Sequence, residues 1–255
     1  MLEVNKIYNE DCLEGMKRIE DKSIDMILCD LPYGTTACKW DTIIPFEPLW
    51  EQYERIIKDN GAIVLTASQP FTSALVMSNP KIFRYEWIWE KAVGSNFAQL
   101  KYQPMKEHES VLVFSKKRHQ YFPIKQLRKG SGAKRASGAY VQTKTGEATG
   151  GLTFQGAEAG HYDKEYRYPS SVQYFNNRDK WRGLHPTQKP VALFEYLIKT
   201  YTKEGETVLD NCIGSGTTAI ACINTNRNYI GFELDKNYFE VAQKRIKKHL
   251  GDEIS

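Results

Sequence analysis

The sequence predicts a doubly wound α/β fold with a mostly parallel sheet. Short apolar segments alternate with segments of helical periodicity near both ends of the chain, which is the order expected of parallel strands joined by helices. Two of the strands run directly into an aspartate and a turn, at Asp30 and at Asp210. Open parallel sheets place their ligands at such strand ends. A basic segment separates the halves, so residues 1–114 and 183–255 are predicted to form one core around an insert at 115–182.

Hydrophobic periodicity assigns the elements of the amino-terminal half. Leu13, Met16 and Ile19 recur at helical spacing, and the continuous apolar run at 24–29 has the length of a buried strand. The same two criteria then predict a helix at 48–57, a strand at 62–66, a short helix at 71–77, and strands at 86–89 and 110–114.

The carboxy-terminal half repeats the alternation of helix and strand. A glycine turn ahead of residue 217 predicts the start of a helix, and the last segment carries an apolar stripe typical of a helix that packs on a sheet. The predicted elements are a helix at 191–201, a strand at 207–209, a helix at 216–224, a strand at 229–232 and a helix at 236–250.

Composition places the chain among globular proteins. Of its 255 residues 41% are hydrophobic, which is enough for a sizeable core, and no apolar run approaches the length that spans a bilayer. The first residues lack the basic-then-apolar layout of a signal peptide, so the expected location is the cytoplasm. The five cysteines show no close paired spacing, which argues against a disulfide framework and leaves a zinc site unsupported.

The positive charge is concentrated in the insert. Residues 115–182 contain 14 lysines and arginines against five acidic residues, so this segment carries +9 while the rest of the chain carries −5. It also contains eight of the 18 glycines and several aromatic residues. This composition is typical of a loop region that faces a polyanion.

The stretch Asp210 to Gly216 indicates a turn that binds a ligand. Gly214 and Gly216 let the backbone turn tightly, and the helix that follows directs unpaired amide groups at the turn. Glu233 lies about twenty residues further on, at the end of the next strand, where a carboxylate accepts hydrogen bonds from ribose hydroxyls. The alternative is a plain strand-to-helix turn with a solvated Glu233.

The residues around the glycine turn favour one kind of nucleoside ligand. Thr217 follows Gly216, so the third glycine of the dinucleotide fingerprint is missing and no pyrophosphate cradle is required. Asp210 would attract a cationic ammonium and repel a phosphate. S-adenosylmethionine has a ribose, an ammonium and no phosphate, and therefore fits. A nicotinamide dehydrogenase would share the glycine turn and the acidic strand end, but it would leave the motif at Asp30 without a use.

The motif Asp30-Leu31-Pro32-Tyr33 suits chemistry on an aromatic amine. A carboxylate and a backbone carbonyl can accept both amine hydrogens and draw the nitrogen lone pair out of ring conjugation. Pro32 stiffens the turn that aims the Leu31 carbonyl, and Tyr33 can stack on a base. A base inside a duplex cannot reach such a pocket, so it would have to rotate out of the stack. The alternative is an Asp-x-Pro turn without chemistry.

Together these motifs resemble those of the beta class of DNA amino-methyltransferases, in which an Asp-Pro-Pro-Tyr motif precedes the S-adenosylmethionine motif. Their order matches from end to end, and the string His-Pro-Thr-Gln-Lys-Pro at 185–190 is the most specific shared feature. Leu31 and Asn211 each stand where the family more often has proline. The resemblance implies a Rossmann-like methyltransferase fold in which 115–182 is a DNA-recognition insert.

The resemblance also implies roles for individual residues, with Lys189 as the counter-charge of the methionine carboxylate. The expected catalytic residues, which hold the target amine or stack on the flipped base, are Asp30, Leu31, Pro32 and Tyr33. The expected cofactor-binding residues are Asp11, Cys12, Thr187, Lys189, Asp210, Gly214, Gly216 and Glu233. The basic insert adds expected DNA contacts at Arg128, Lys129, Lys134 and Arg135.

The reaction implied is direct methyl transfer from S-adenosylmethionine to the amino group of adenine in double-stranded DNA, without a covalent enzyme intermediate. The catalytic motif begins with Asp rather than Ser, which in this family goes more often with adenine than with cytosine. Methylation of the cytosine amino group is the alternative, and an inactive DNA-binding module is another. A cognate restriction endonuclease and a homodimer are further partners that the resemblance allows.

Two further segments have an open interpretation. Ser68 to Phe71 either walls the target pocket or begins a helix with a core phenylalanine. His108 and Glu109 resemble a segment of the family, but they are expected to form a polar pair with each other rather than to act in catalysis.

Overall fold

The computed structural model describes residues 2–34, 41–128, 165–178 and 188–251. The chain divides into two compact units, one formed by Met1–Phe122 with Ser171–Ser255 and the other by Pro123–Ser170. The predicted domain boundaries at 115 and 182 stay a prediction. Within the described residues, no helix is both long and apolar enough to cross a membrane.

The larger unit contains an eight-stranded sheet with six α-helices in the described residues. Its strands are β1 Lys6–Tyr8, β2 Ile24–Cys29, β3 Ile57–Ala67, β4 Phe83–Ser95, β5 Lys106–Phe114, β8 Val172–Phe175, β9 Thr207–Asp210 and β10 Asn228–Phe232. Its helices are α1 Cys12–Met16, α2 Phe46–Ile56, α3 Phe71–Ser78, α4 Val191–Tyr201, α5 Thr217–Asn224 and α6 Lys236–Leu250, with a 3₁₀ turn at Phe97–Gln99.

The strand order confirms the predicted doubly wound, mostly parallel sheet. The order is β1-β10-β9-β2-β3-β5-β4-β8, and β5 is the strand that runs antiparallel to both of its neighbours. From β9 the chain winds outward to β10, whereas from β2 it winds outward in the opposite direction to β3. The junction of β9 and β2 is therefore the switch point, where such sheets form a crevice for ligands.

Apolar side chains on both faces of the sheet hold these elements together. Every residue of β2 is buried, because Met26 and Leu28 face one core cluster while Ile27 and Cys29 face the other. Helices α4, α5 and α6 pack on the first face, and α1, α2 and α3 pack on the second. Burial on both faces is why β2 reads as a continuous apolar run rather than an alternating one.

Two main-sheet strands, β1 and β8, carry no periodic signal and were not predicted. They lie at the two edges of the sheet and pair with one neighbour each. Helix α1 is also shorter than the predicted pattern, because it ends at Met16 and Ile19 is buried beyond it. The backbone of Ile19 instead accepts a hydrogen bond from Arg55 at 2.8 Å. Tertiary pairing decides these short segments, since too few residues contribute to any periodicity.

The smaller unit shows one described pair of short strands. In it, β6 Gln126–Leu127 pairs antiparallel with β7 Tyr166–Arg167. The Arg128 amide donates to the Glu165 carbonyl at 2.8 Å and extends this ladder. Lys129, Lys134 and Arg135, which were predicted to contact DNA, lie outside the described residues, as does Thr187.

Candidate functional site

A cavity of about 1060 Å³ opens at the carboxyl ends of the strands around the switch point. Asp30 follows β2, Asp210 ends β9 and Glu233 follows β10, and all three residues line this cavity. Strand pairing explains the convergence, because β2 and β10 both lie beside β9 in a parallel sheet. The two motifs that are far apart in sequence thus share one chamber.

Three groups donate hydrogen bonds to the Asp30 carboxylate. The Tyr33 hydroxyl donates to Oδ1 at 2.7 Å, and the Thr66 hydroxyl, from β3, donates to the same oxygen. The Lys189 ammonium donates to Oδ2 at 2.6 Å. Each carboxylate oxygen has two lone pairs, so Oδ2 keeps the capacity to accept one more hydrogen. The Asp30 side chain is still 21% exposed, and the residue lines the cavity.

Lys189 bridges two acidic residues. Its buried ammonium lies 2.6 Å from Asp30 Oδ2 and 3.4 Å from Glu109 Oε2. Burial by itself lowers the pKa of Lys189, but the carboxylates of Asp30 and Glu109 more than reverse this and leave the pKa raised. The lysine therefore stays charged beside Asp30. Its predicted place beside the methionine carboxylate stays a prediction.

Glu109 and Lys91 complete a buried chain of alternating charges that the sequence did not reveal. Lys91 lies on β4 and donates to Glu109 Oε1, on the adjacent β5, at 2.8 Å. Burial raises the pKa of Glu109, but Lys189 and Lys91 lower it by more, so its net pKa is lowered. The sequence held one sign of this ion pair: Lys91 follows the predicted strand at 86–89, and Glu109 precedes the predicted strand at 110–114.

The expected pairing of His108 with Glu109 is wrong. Consecutive residues of a strand point to opposite faces of the sheet. His108 is accordingly exposed, while Glu109 turns inward to the two lysines.

Aromatic rings form one wall of the catalytic end. Tyr33 stacks on Phe71 with ring centroids 5.2 Å apart, and the Lys189 ammonium lies 5.5 Å from the centre of the Tyr33 ring. Phe71 is buried and begins α3. The segment therefore begins a helix with a core phenylalanine, and Phe71 packs behind Tyr33, which lines the cavity; a role of residues 68–71 as pocket wall stays a prediction.

The other end of the cavity carries the Glu233 carboxylate. Its Oε2 accepts from the Gly214 amide at 2.8 Å, and its Oε1 accepts from the Asp235 amide at 2.9 Å. These bonds fix the carboxylate against the glycine turn, and each oxygen keeps a lone pair for another donor. Burial raises the pKa of Glu233, and the two amide hydrogens oppose that shift. Gly216, at a φ of 83°, has the left-handed backbone that glycine adopts without strain and precedes α5.

Asp210 is a buried carboxylate without a cationic partner among the described residues. The Cys212 amide donates to its Oδ1 at 3.0 Å, and the Thr218 hydroxyl donates to Oδ2. Burial raises the pKa of Asp210 to about 7, although these hydrogen bonds oppose the shift. A cation that entered the cavity would favour the ionised form, so the chemistry of this position suits an ammonium.

Asn211, which departs from the pattern of the family, holds neighbouring elements together. Its Oδ1 accepts from the Tyr53 hydroxyl at 2.5 Å, and its amide donates to the sulfur atoms of Cys12 and Cys212. A proline at this position could make none of these bonds.

The amino-terminal element also reaches the cavity. Asp11 caps α1 by accepting from the Leu13 and Glu14 amides, and Asp11 and Cys12 both line the cavity. The structure thus brings together every predicted catalytic residue, and the cofactor-binding residues other than Gly216 and Thr187, as lining of one chamber. Gly216 turns the backbone behind the lining.

Comparisons with known proteins agree with this geometry. The chain matches the N-6/N-4 methyltransferase family model, described as "DNA methylase", over residues 24–244. Among curated proteins it is 27% identical to type II methyltransferase M.HpaI of Haemophilus parainfluenzae, covering 94% of this chain and 74% of that protein. It is 26% identical to DNA adenine methyltransferase YhdJ of Escherichia coli (strain K12), covering 96% of this chain and 83% of that protein.

A solved structure shows the same fold. The complex of M1.HpyAVI with SAM superimposes with a TM-score of 0.65, at 23% identity, covering 94% of this chain and 98% of that one. The two chains therefore share this fold over nearly their full lengths.

Proposed function

Because the chain belongs to the N-6/N-4 DNA methylase family, we propose that it methylates the amino group of adenine in double-stranded DNA, with S-adenosylmethionine as donor. One observation carries the proposal: Asp30 and Glu233 open onto the same cavity, on either side of the switch point. Such a chamber can hold a nucleoside cofactor at one end and a flipped base at the other.

The acidic side chains at the proposed cofactor site suit S-adenosylmethionine. Glu233 offers acceptors for ribose hydroxyls, and Asp210 offers a buried carboxylate for the ammonium. Asp11 and Cys12 also line the cavity and are proposed to lie near the adenine ring. When bound, the cofactor supplies an electrophilic methyl group on a sulfonium, which is a good leaving group, so the protein needs no nucleophile of its own.

The catalytic end activates the amine by hydrogen bonding. Asp30 Oδ2 and the Leu31 carbonyl accept the two amine hydrogens, which frees the nitrogen lone pair for attack in line with the methyl group. The Lys189 ammonium donates to Asp30 Oδ2 and so holds the carboxylate in position. Asp30 would accept the proton that the nitrogen releases and pass it to water, and the leaving group would be the thioether of the demethylated cofactor. Tyr33, stacked on Phe71, offers a flat surface for the base.

The base can be identified directly. Incubating unmethylated DNA with the protein and methyl-labelled S-adenosylmethionine, followed by mass spectrometry of the nucleosides, is expected to give labelled N-6-methyladenine. Labelled N-4-methylcytosine would establish the alternative, which the family also includes. If no nucleoside carries the label, the interpretation as an inactive DNA-binding module is correct instead.

Replacing Glu233 by glutamine is expected to weaken S-adenosylmethionine binding about tenfold or more. The change removes the negative charge from an acceptor of hydrogen bonds, and charge-assisted bonds are worth about 1.5–3 kcal/mol each. Isothermal titration calorimetry measures the affinity, with the exposed Glu240→Gln on α6 as the matched control. Equal affinities for the two variants would refute the ribose assignment.

The affinity for S-adenosylmethionine is expected to rise with pH through about 7. Burial raises the pKa of Asp210 to about 7, so below that pH the free protein holds this carboxyl neutral. The ammonium of the cofactor favours the carboxylate, and binding therefore releases a proton. Calorimetry between pH 6 and 8, in buffers of different ionisation enthalpy, measures both quantities. Binding that neither releases protons nor changes with pH would contradict the role of Asp210.

The partners follow from the same proposal. The basic segment 115–182, with its charge of +9, supplies phosphate contacts, among them Arg128, Lys129, Lys134 and Arg135. The type II name of one relative makes a cognate restriction endonuclease the second proposed partner. A homodimer stays a prediction from the family resemblance.

A further inference from the structure

The tip of the β4–β5 hairpin, residues 96–105, exposes large apolar side chains. Phe97 is 59% exposed, Leu100 41%, Tyr102 88% and Met105 39%. Single exposed apolar residues are common, but four of them within ten residues are a concentration of exposed apolar side chains, and such concentrations mark interaction sites.

Polar bonds hold the tip in shape without help from the apolar side chains. Asn96, in the left-handed conformation, donates through its amide to the Pro104 carbonyl at 3.1 Å and accepts from the Lys106 amide at 2.8 Å. The Tyr102 amide donates to the Gln99 carbonyl at 2.9 Å, and the Gln99 and Gln103 side chains bond to each other. The exposed rings are thus presented on a braced turn, and their exposure is not a by-product of a collapsed loop.

The hairpin tip stands at the rim of the catalytic cavity. Gly94 and Ser95, which lead into the tip, line the cavity itself. Met105 packs over Gly94 so closely that no Cβ would fit there. On the return strand, the Lys106 ammonium donates to the Ser68 hydroxyl, just beyond the end of β3. This bond connects the base of the tip to the end of β3, the strand whose Thr66 contacts Asp30.

The charge of the tip fits a polyanion. Within residues 96–105 the one charged residue is Lys101, and Lys106 follows at the start of β5. A partner with negative charge outside and flat apolar surfaces inside matches this combination, and duplex DNA has both.

We propose that the hairpin tip is a wedge that enters the base stack beside the target nucleotide, with Tyr102 and Phe97 as the stacking side chains. This inference rests on the proposed function, because it needs a base to leave the duplex. Rotating that base into the cavity opens a gap in the stack, and an aromatic ring at the rim can fill it. The wedge is separate from the basic insert, since it acts on the flipped state rather than on phosphates.

Phe97→Ala combined with Tyr102→Ala tests the wedge against the matched control Leu250→Ala, an exposed apolar residue at the end of α6. The methylated sequence is first identified by modification-sensitive sequencing of treated DNA, and defined duplexes are then compared. On the matched duplex, kcat/KM is expected to fall roughly tenfold for the double variant and to stay unchanged for the control.

A duplex with a mismatch at the target base provides the decisive comparison. A mismatched base leaves the stack more easily, so a wedge is needed less. The loss in the double variant is therefore expected to shrink to about twofold or less, and Tyr102→Phe alone is expected to retain activity on both duplexes. Affinity for S-adenosylmethionine and the thermal midpoint should not change, since the replaced rings are exposed.

Three results would overturn the wedge. Equal losses on matched and mismatched duplexes would give the tip a role other than filling the stack. Unchanged activity on both, with an active wild-type protein, would leave it no role in DNA binding. Conversion of a dimer to a monomer by the double variant, seen by sedimentation, would make a second copy of the chain its partner. A wild-type protein that methylates no DNA would instead refute the proposed function itself.

Discussion

Replacing Asp30 by alanine is expected to reduce methyl transfer by about a thousandfold or more, while S-adenosylmethionine affinity stays within about threefold of the wild-type value. In the proposed mechanism this carboxylate is the acceptor that holds the target amine, and it lines the cavity directly after the end of β2. Glu233 and the glycine turn, which hold the cofactor in this mechanism, keep their mutual bonds without Asp30.

The measurement is a single-turnover assay with labelled cofactor, beside calorimetry on the same protein. Asp30→Asn is the informative companion, because it keeps an oxygen for the Tyr33 and Thr66 hydroxyls but replaces Oδ2, the oxygen proposed to accept from the amine, with an NH2 group. We expect it to lose most of the activity as well. Loss of cofactor binding with little loss of rate in the bound state would show that this motif belongs to the other end of the chamber.

The second large effect is on stability, and it concerns Glu109. Replacing Glu109 by glutamine leaves the buried ammonium groups of Lys91 and Lys189 with Asp30 as their one remaining acidic neighbour in this chain of charges. Removing one partner from a buried ion pair typically costs about 3–5 kcal/mol, so we expect the free energy of unfolding to fall by about 3 kcal/mol. Methyl transfer should fall too, since burial then lowers the pKa of Lys189 with one carboxylate fewer to oppose it.

A double variant separates charge from packing. Glu109→Gln together with Lys91→Met removes one charge of each sign, and the remaining pair of Lys189 and Asp30 stays balanced. Denaturant unfolding should therefore show much of the lost stability restored. If the double variant is less stable than the single one by the full cost of a second substitution, the charges do not act as a chain.

The contribution of Glu109 to the free energy of unfolding is expected to decrease in acid. Lys189 and Lys91 lower the pKa of Glu109, so its stabilising effect is fully present above the ordinary glutamate pKa of about 4.3 and is lost as the pH falls below it. The difference in unfolding free energy between wild type and Glu109→Gln should accordingly shrink in acid.

Much of the fold could be read from local patterns. The run at 24–29 is apolar on both faces because β2 is covered by helices on both sides, and this burial gives the strong signal that predicted it. The same holds for the strands that precede Asp210 and Glu233. Where burial is one-sided or a segment has only a few residues, as in β1 and β8, the pattern disappears and only pairing with a neighbour defines the strand.

The sequence by itself determined the chemistry at each strand end, namely a carboxylate with a stiff turn at Asp30 and a glycine turn with an acidic partner at Glu233. Backbone conformation and residue type fix such features within a few residues of chain. Only the tertiary structure decided what surrounds them, including the bridge from Lys189 to Asp30 and Glu109 and the bond from Thr66 to Asp30. These features join residues that are distant in sequence, and a buried charge can be understood only when the partner that offsets its desolvation is in place.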